Sequence, residues 1–153
     1  MRRTAGLCLV LALGACAAVP KGGPEPAPTE PAVPVAAVRP PPPQARTAEE
    51  FDTTTPAQRE AARAAPRGGD ARLGLGVASL GDPTDPGFWA VTPLVTRVRP
   101  GRLVDPVTGI SVQVELRPRD AAPGAGTLVS LPAMRALGVP LTALREIAIH
   151  AAQ

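Results

Sequence analysis

The sequence is poor in aromatic residues, with two Phe, one Trp and no Tyr among its 153 residues. Any packed core must therefore come from Val, Leu and Ile, and no interleaving of basic and aromatic residues points to a nucleic-acid partner. Histidine occurs once, as His150, and lysine once, as Lys21. A lone histidine with no cysteine nearby cannot nucleate a zinc site, and no serine has a plausible histidine base for a Ser-His-Asp triad. The two cysteines, Cys8 and Cys16, both fall within the first sixteen residues. The rest of the chain therefore has no disulfide, no cysteine metal site and no thiol nucleophile. Gly74-x-Gly76 is too short for a dinucleotide loop and reads as strand glycines near a bulge. No cofactor and no metal are expected. The formal charge of +3 includes Arg2 and Arg3; without them the chain is nearly neutral, and its arginines form no nucleic-acid patch.

The features that are present begin at the first residue. Met1-Arg2-Arg3 is a short basic segment, and Ala5 to Leu13 is almost wholly apolar. At about nine residues this run has the length of a signal h-region, well short of the roughly twenty needed to span a bilayer. Leu13-Gly14-Ala15 then places a large aliphatic and two small residues before Cys16. That pattern resembles the lipobox of bacterial lipoproteins, in which signal peptidase II cuts before a diacylated cysteine. An ordinary signal peptidase could also accept Ala15, but the cysteine directly after the small residues favours the lipobox. The resemblance implies a signal peptide over residues 1–15, with Cys8 discarded inside it. It also implies lipidation of Cys16 and anchorage in the cell envelope by several acyl chains. Ala17 stands where an Asp commonly retains such proteins in the inner membrane, which points to the outer membrane, facing the periplasm.

Residues 20–43 carry about ten prolines with Ala, Val and Glu between them. Proline removes backbone donors and fixes φ, so a disordered, polyproline-like spacer is expected, reaching on the order of 70 Å at ~3.1 Å per residue. Residues 16–70 thus read as the lipidated cysteine followed by a Pro/Ala-rich linker. Within it, Thr55-Pro56-Ala57-Gln58 has the form of a capping box with proline at the first helical position. The pattern predicts a short helix over 56–65, with only alanine on its buried face and a tendency to fray. Phe51 is the one large residue of this stretch and a candidate staple onto the following domain.

Residues 71–153 form the only segment able to bury a core, and it is small for an independent domain. Leu73–Leu80, Pro93–Val98, Arg102–Val104 and Thr127–Val129 read as short strands. Asp105-Pro106-Val107-Thr108-Gly109 is a strong turn signal, after which Val112, Val114 and Leu116 alternate with Ser111, Gln113 and Glu115. Together they predict a hairpin. Ser130 can cap a helix running to Leu137 and ended by Gly138, and Ile147 and Ile149 alternate on a last strand. Many short strands with one or two short helices predict a mainly-β fold, a small barrel.

Thr96-Arg97-Val98 and the run from Asp105 to Val114 resemble the central hairpin of rare lipoprotein A (RlpA)-like double-psi β-barrels, of the type "G-T-x-V-x-V" then "N-G-R-S-V-x-V". Leu128-Val129-Ser130-Leu131, Met134 and Ala136-Leu137-Gly138-Val139 are similar to that family's "I-I-D-L-S-x-x-A-A-x-x-L-G" helix. Ala78-Ser79 corresponds to its opening "A-S-x-Y" strand. The resemblance implies a double-psi barrel and peptidoglycan as the partner. Active members carry "N-D-R-G-P" after the second hairpin strand, with the Asp as general acid on glycan. Here Arg117, Pro118 and Arg119 occupy those positions, and Pro118 cannot transfer a proton. Only Asp120, two residues on, could replace it. The histidine-bearing segment of active members has no counterpart between Leu80 and Pro93. A second resemblance is to short alphaproteobacterial lipoproteins with "F-D-T-T-T", "A-S-L-G-D-P-T-x-P-G-F-W" and "M-R-x-L-x-x-P-L-T". These are Phe51–Thr55, Ala78–Trp89 and Met134–Thr142 here. Such proteins are often named D-galactarate dehydratase. Dehydration needs a metal or strong base beside an acid, which some eighty residues with one histidine do not offer.

The carboxylates open to a glycan-cleaving role are Asp82, Asp85, Asp105, Glu115 and Asp120, although Asp82-Pro83 and Asp85-Pro86 are more simply turn residues. Phe88 and Trp89 either plug a core otherwise without aromatics or, for Trp89 above all, stack on a sugar ring. The leading expectation is a non-catalytic envelope lipoprotein with a degenerate RlpA-like barrel, binding peptidoglycan or an envelope protein. The enzyme alternative is a lytic transglycosylase of atypical site using Asp120. The sugar-acid dehydratase is the least favoured reading.

Overall fold

A computed structural model of the chain describes residues 38–64, 69–122 and 124–152. The expected signal peptide over 1–15, Cys16 and most of the expected proline-rich spacer lie outside the described residues. Among the described residues the fold is mainly β, with a closed barrel of six strands and three short helices. The strands are β1 (Asp70–Leu80), β2 (Trp89–Thr92), β3 (Arg99–Val104), β4 (Ser111–Pro118), β5 (Thr127–Val129) and β6 (Arg145–Ala152). Around the barrel they run β1-β5-β2-β4-β3-β6. The β1–β5 and β2–β4 pairs are parallel and the others antiparallel. Exchanging each strand with the one three places on in sequence leaves this order unchanged. The pairing thus has a two-fold pseudo-symmetry, within a small closed β-barrel of the class the sequence predicts.

The hairpin of β3 and β4 forms as its pattern dictates. Val112, Val114 and Leu116 are buried, while Ser111, Gln113 and Glu115 are only partly covered. The connecting turn closes through Asp105 N–H to Ile110 O and Gly109 N–H to Asp105 O, with Gly109 at φ 72°. A left-handed residue at that position favours glycine. The Asp105 carboxylate is buried and accepts from Val107 N–H at 2.9 Å, so it serves the turn.

Residues 93–98 do not form the expected strand. Instead β2 spans Trp89–Thr92 and the chain turns away at Pro93. β2 is paired on both edges, by β4 and β5, and proline cannot donate to such a ladder. The apolar residues that follow pack from a turn. Val95 is buried in the core, and Leu94 lies against Gly74, where a Cβ would approach it to 3.3 Å.

Two helices upstream of the barrel pack onto it. α1 (Ala48–Phe51) was not legible in the sequence, although Thr47 and Glu50 form a full capping box. α2 (Pro56–Arg63) begins at the expected Thr55–Gln58 box and ends slightly before residue 65. Its Ala62 joins the barrel core, Arg63 Nε donates to Ala136 O at 2.9 Å, and Gln113 Nε2 donates to Ala64 O at 2.8 Å. The helix is therefore tied at its C-terminal end rather than frayed. Phe51 is half-buried and is not among the side chains packed on the core. The staple is polar instead. The Asp52 side chain is 2% exposed, accepts from Thr54 N–H and Oγ1, and pairs with Arg135 at 3.3 Å. Arg135 also reaches Glu49 at 2.5 Å, so one arginine of α3 (Leu131–Leu137) holds α1 and the residue after it.

α3 presents almost no exposed face: Leu131, Pro132, Ala133, Met134, Ala136 and Leu137 are all buried. Gly138, at φ 73°, ends it as expected. Ser130 occupies the N-cap but makes no side-chain cap; its Oγ accepts from Trp89 N–H at 3.1 Å. Leu103, Leu116, Ile147 and Ile149 complete a fully buried aliphatic centre. Each such side chain contributes about 1.5–3 kcal/mol on burial, which is how the core forms with so few aromatics.

Candidate functional site

One polar arrangement on the barrel surrounds Trp89. Trp89 opens β2 opposite Glu115 of β4, and its main chain exchanges hydrogen bonds with Ser130. Its indole is 3% exposed, with Nε1 donating to Asp85 O at 3.1 Å. One edge of the ring rests on Gly81, where a Cβ would come within 2.5 Å of it. Over the face lies the Arg117 guanidinium, 5.3 Å from the ring centroid. Arg117 is held by Glu115 through Nε at 2.6 Å and by Asp85 through Nη1 at 2.6 Å. Partial burial would depress this guanidinium, but the hydrogen bonds to Glu115 and Asp85 outweigh it and raise Arg117 above its ordinary value.

This geometry corrects the reading of Trp89 as a stacking platform. A sugar needs an open ring face, and here one side is closed by packing and the other roofed by an arginine with two carboxylate partners. The plug reading also accounts for Phe88, which is partly buried against the core. Sequence reasoning missed Arg117 as the residue that joins Trp89, Asp85 and Glu115. The signal for it was the alternation of β4, which puts Glu115 and Arg117 on the same outer face.

Asp120 is not brought to Trp89. Glu115 lies opposite Trp89, whereas Pro118 lies opposite Thr92, at the other end of β2. Three strand steps at about 3.3 Å already separate the two positions by roughly 10 Å, and Asp120 lies farther on. Asp120 is exposed and forms no hydrogen bond or ion pair with a described residue, whereas neighbouring Arg119 ties down Ala125 O and Gly126 O. Asp82 accepts from Thr84 Oγ1 and N–H, chiefly the hydroxyl bond holding its carboxyl below the usual range; it is a turn residue.

His150 lies on the outer wall, with Arg72 of β1 and Arg102 of β3 as its cross-strand neighbours. Its Nδ1 is 3.4 Å from Asp70 Oδ1, and Arg102 grips Asp70 Oδ2 through Nε and Nη2. The Arg102 hydrogen bond above all, aided by its charge and by His150, holds the Asp70 carboxyl below its ordinary value. A depressed folded-state value stabilises the fold above the unfolded carboxylate range and loses that contribution as pH falls through and below about 4. Melting curves from pH 7 to pH 2.5 should therefore show wild type above Asp70→Asn at neutral pH. The gap should close on acidification; a constant gap would mean that the pairing contributes nothing.

Concavities on the described part of the barrel include two of different size. The larger, about 260 Å³, is lined by Leu94, Val95, Thr96, Arg97 and Arg99, and the smaller, about 20 Å³, lies beside Leu75 and Thr127. Neither is lined by a carboxylate, and neither includes Trp89 or Asp120. Among the described residues no three His, Cys, Asp or Glu side chains gather into a metal site. No protein-family model, curated protein or solved structure matches the chain.

Proposed function

We propose that this chain is a lipid-anchored envelope protein whose barrel binds or scaffolds at the peptidoglycan without cleaving it. The envelope address rests on the basic start, the short apolar run and Cys16 after Leu13-Gly14-Ala15. The non-catalytic half rests on one observation, the state of the carboxylates. The position of the related barrels' acid is Pro118, which has no proton to give. Asp85 and Glu115 are committed to Arg117, Asp105 to its turn, and Asp82 to Thr84. Asp120 is exposed to water, and a glycosidic acid needs a dry pocket to raise its carboxyl toward neutrality.

The test is incubation of the full chain with purified sacculi, followed by pelleting and by analysis of released muropeptides. The expected result is retention in the pellet with no muropeptide release. Failure to pellet would remove the wall-binding half. Release that disappears in Asp120→Asn would overturn the non-catalytic half in favour of a lytic transglycosylase.

A further inference from the structure

We propose that the end of the barrel beside Arg99 is a binding site for a small carboxylate-bearing molecule, the size of one amino acid or one sugar acid. This does not depend on the wall reading.

Arg99 opens β3 and shares its alternation with Gly101 and Leu103, the buried side of that strand. Its Nη2 donates to Ala152 O, at the end of β6, at 2.8 Å. Its Nε–H is buried and has no acceptor. A dry, unpaired donor is unfavourable, and it leaves this guanidinium with hydrogen-bonding capacity unused beside the concavity. The same residue lines the 260 Å³ concavity, together with the Thr96 hydroxyl and the exposed Arg97. Among the described residues Arg102, Arg117, Arg135 and Arg145 each face a carboxylate; Arg72, Arg97, Arg99 and Arg119 face none, and of these only Arg97 and Arg99 line this concavity.

Two unneutralised guanidiniums and a hydroxyl over an apolar floor of Leu94 and Val95 select an anion with a short carbon body. Pockets for drug-sized ligands run from about 300 Å³ upward, so this one suits a single small unit. Planar guanidinium donors suit a carboxylate, and the apolar floor gives it an advantage over inorganic anions.

The experiment is calorimetric titration of the full chain at low salt with two matched pairs of probes. One pair is N-acetylmuramic acid and its carboxylate-free counterpart N-acetylglucosamine; the other is N-acetyl-D-alanine and N-acetyl-D-alaninamide. We expect at least one acid to bind at least tenfold more tightly than its neutral counterpart, and the pair that responds tells a sugar acid from a peptide-type carboxylate. Arg99→Gln should abolish that binding, Arg97→Gln should weaken it at least threefold, and Arg72→Gln, outside the lining, should leave it unchanged. If Arg99→Gln does not fold, the exposed Arg97 variant decides. The proposal fails if neither acid binds, if the neutral probes bind equally, or if inorganic phosphate displaces the acids at equal concentration. It also fails if Arg97→Gln binds like wild type.

Discussion

Trp89→Ala should destabilise the barrel by about 4 kcal/mol, the range for emptying a large aromatic site in a core. For a domain near 100 residues, each 1 kcal/mol corresponds to about 4–8 °C, so the melting temperature should fall by roughly 15–30 °C. The loss combines several contacts. The ring is 3% exposed and abuts Gly81, its Nε1 bonds Asp85 O, and its face supports the guanidinium of Arg117. Truncation leaves a void beneath Arg117 and removes the donor that fastens the 82–87 loop to β2. Because Trp89 is the sole tryptophan, the wild type offers an independent readout. Its emission should be blue-shifted and poorly quenched by iodide. A fall of only a few degrees, with freely quenched emission, would restore the ring to the surface and reopen the stacking role.

Gly101→Ala should cost about 3 kcal/mol, at the upper end for an overpacked core position. A Cβ there would sit 2.4 Å from Leu116 Cδ1 and 2.5 Å from the carbonyl oxygen of His150. The leucine tip can shift, but the carbonyl belongs to β6, which is paired with β3 on this side and β1 on the other. Relief must therefore come from prying strands apart. Adding Leu116→Ala removes the side-chain clash and leaves the backbone one. The double variant should be more stable than the sum of the single losses predicts, yet still well below wild type. Chemical denaturation of the four proteins measures that coupling. Strict additivity would mean that the two residues do not meet.

The hairpin shows how far local pattern reaches. Val112, Val114 and Leu116 point inward because strand side chains alternate, and Asp105 to Gly109 turn because Asp accepts from its neighbour's N–H while Gly tolerates a positive φ. Thr55–Gln58 and Gly138 were legible for the same reason, since a cap involves residues within one helical turn. Pro93–Val98 shows where the pattern misleads. Its apolar content was read as a strand, but Leu94 and Val95 reach the core from a turn, and Pro93 ends a strand paired on both edges. Phe51 misleads in the same way. A large apolar residue looked like the anchor, while the tie is made by Asp52 and Arg135.

By itself the sequence determined the mainly-β class, most strands, two of the helices and the turn between β3 and β4, because each depends on residues a few positions apart. Only the tertiary structure decided the order of strands around the barrel, the burial of Trp89 and the pairing of charges. Those follow from partners far apart in the chain: Arg117 meets Asp85 across 32 residues and Arg135 meets Glu49 across 86. Which arginines find a carboxylate, and which are left at the barrel end as Arg97 and Arg99 are, depends on closure of the barrel. No local periodicity encodes that closure.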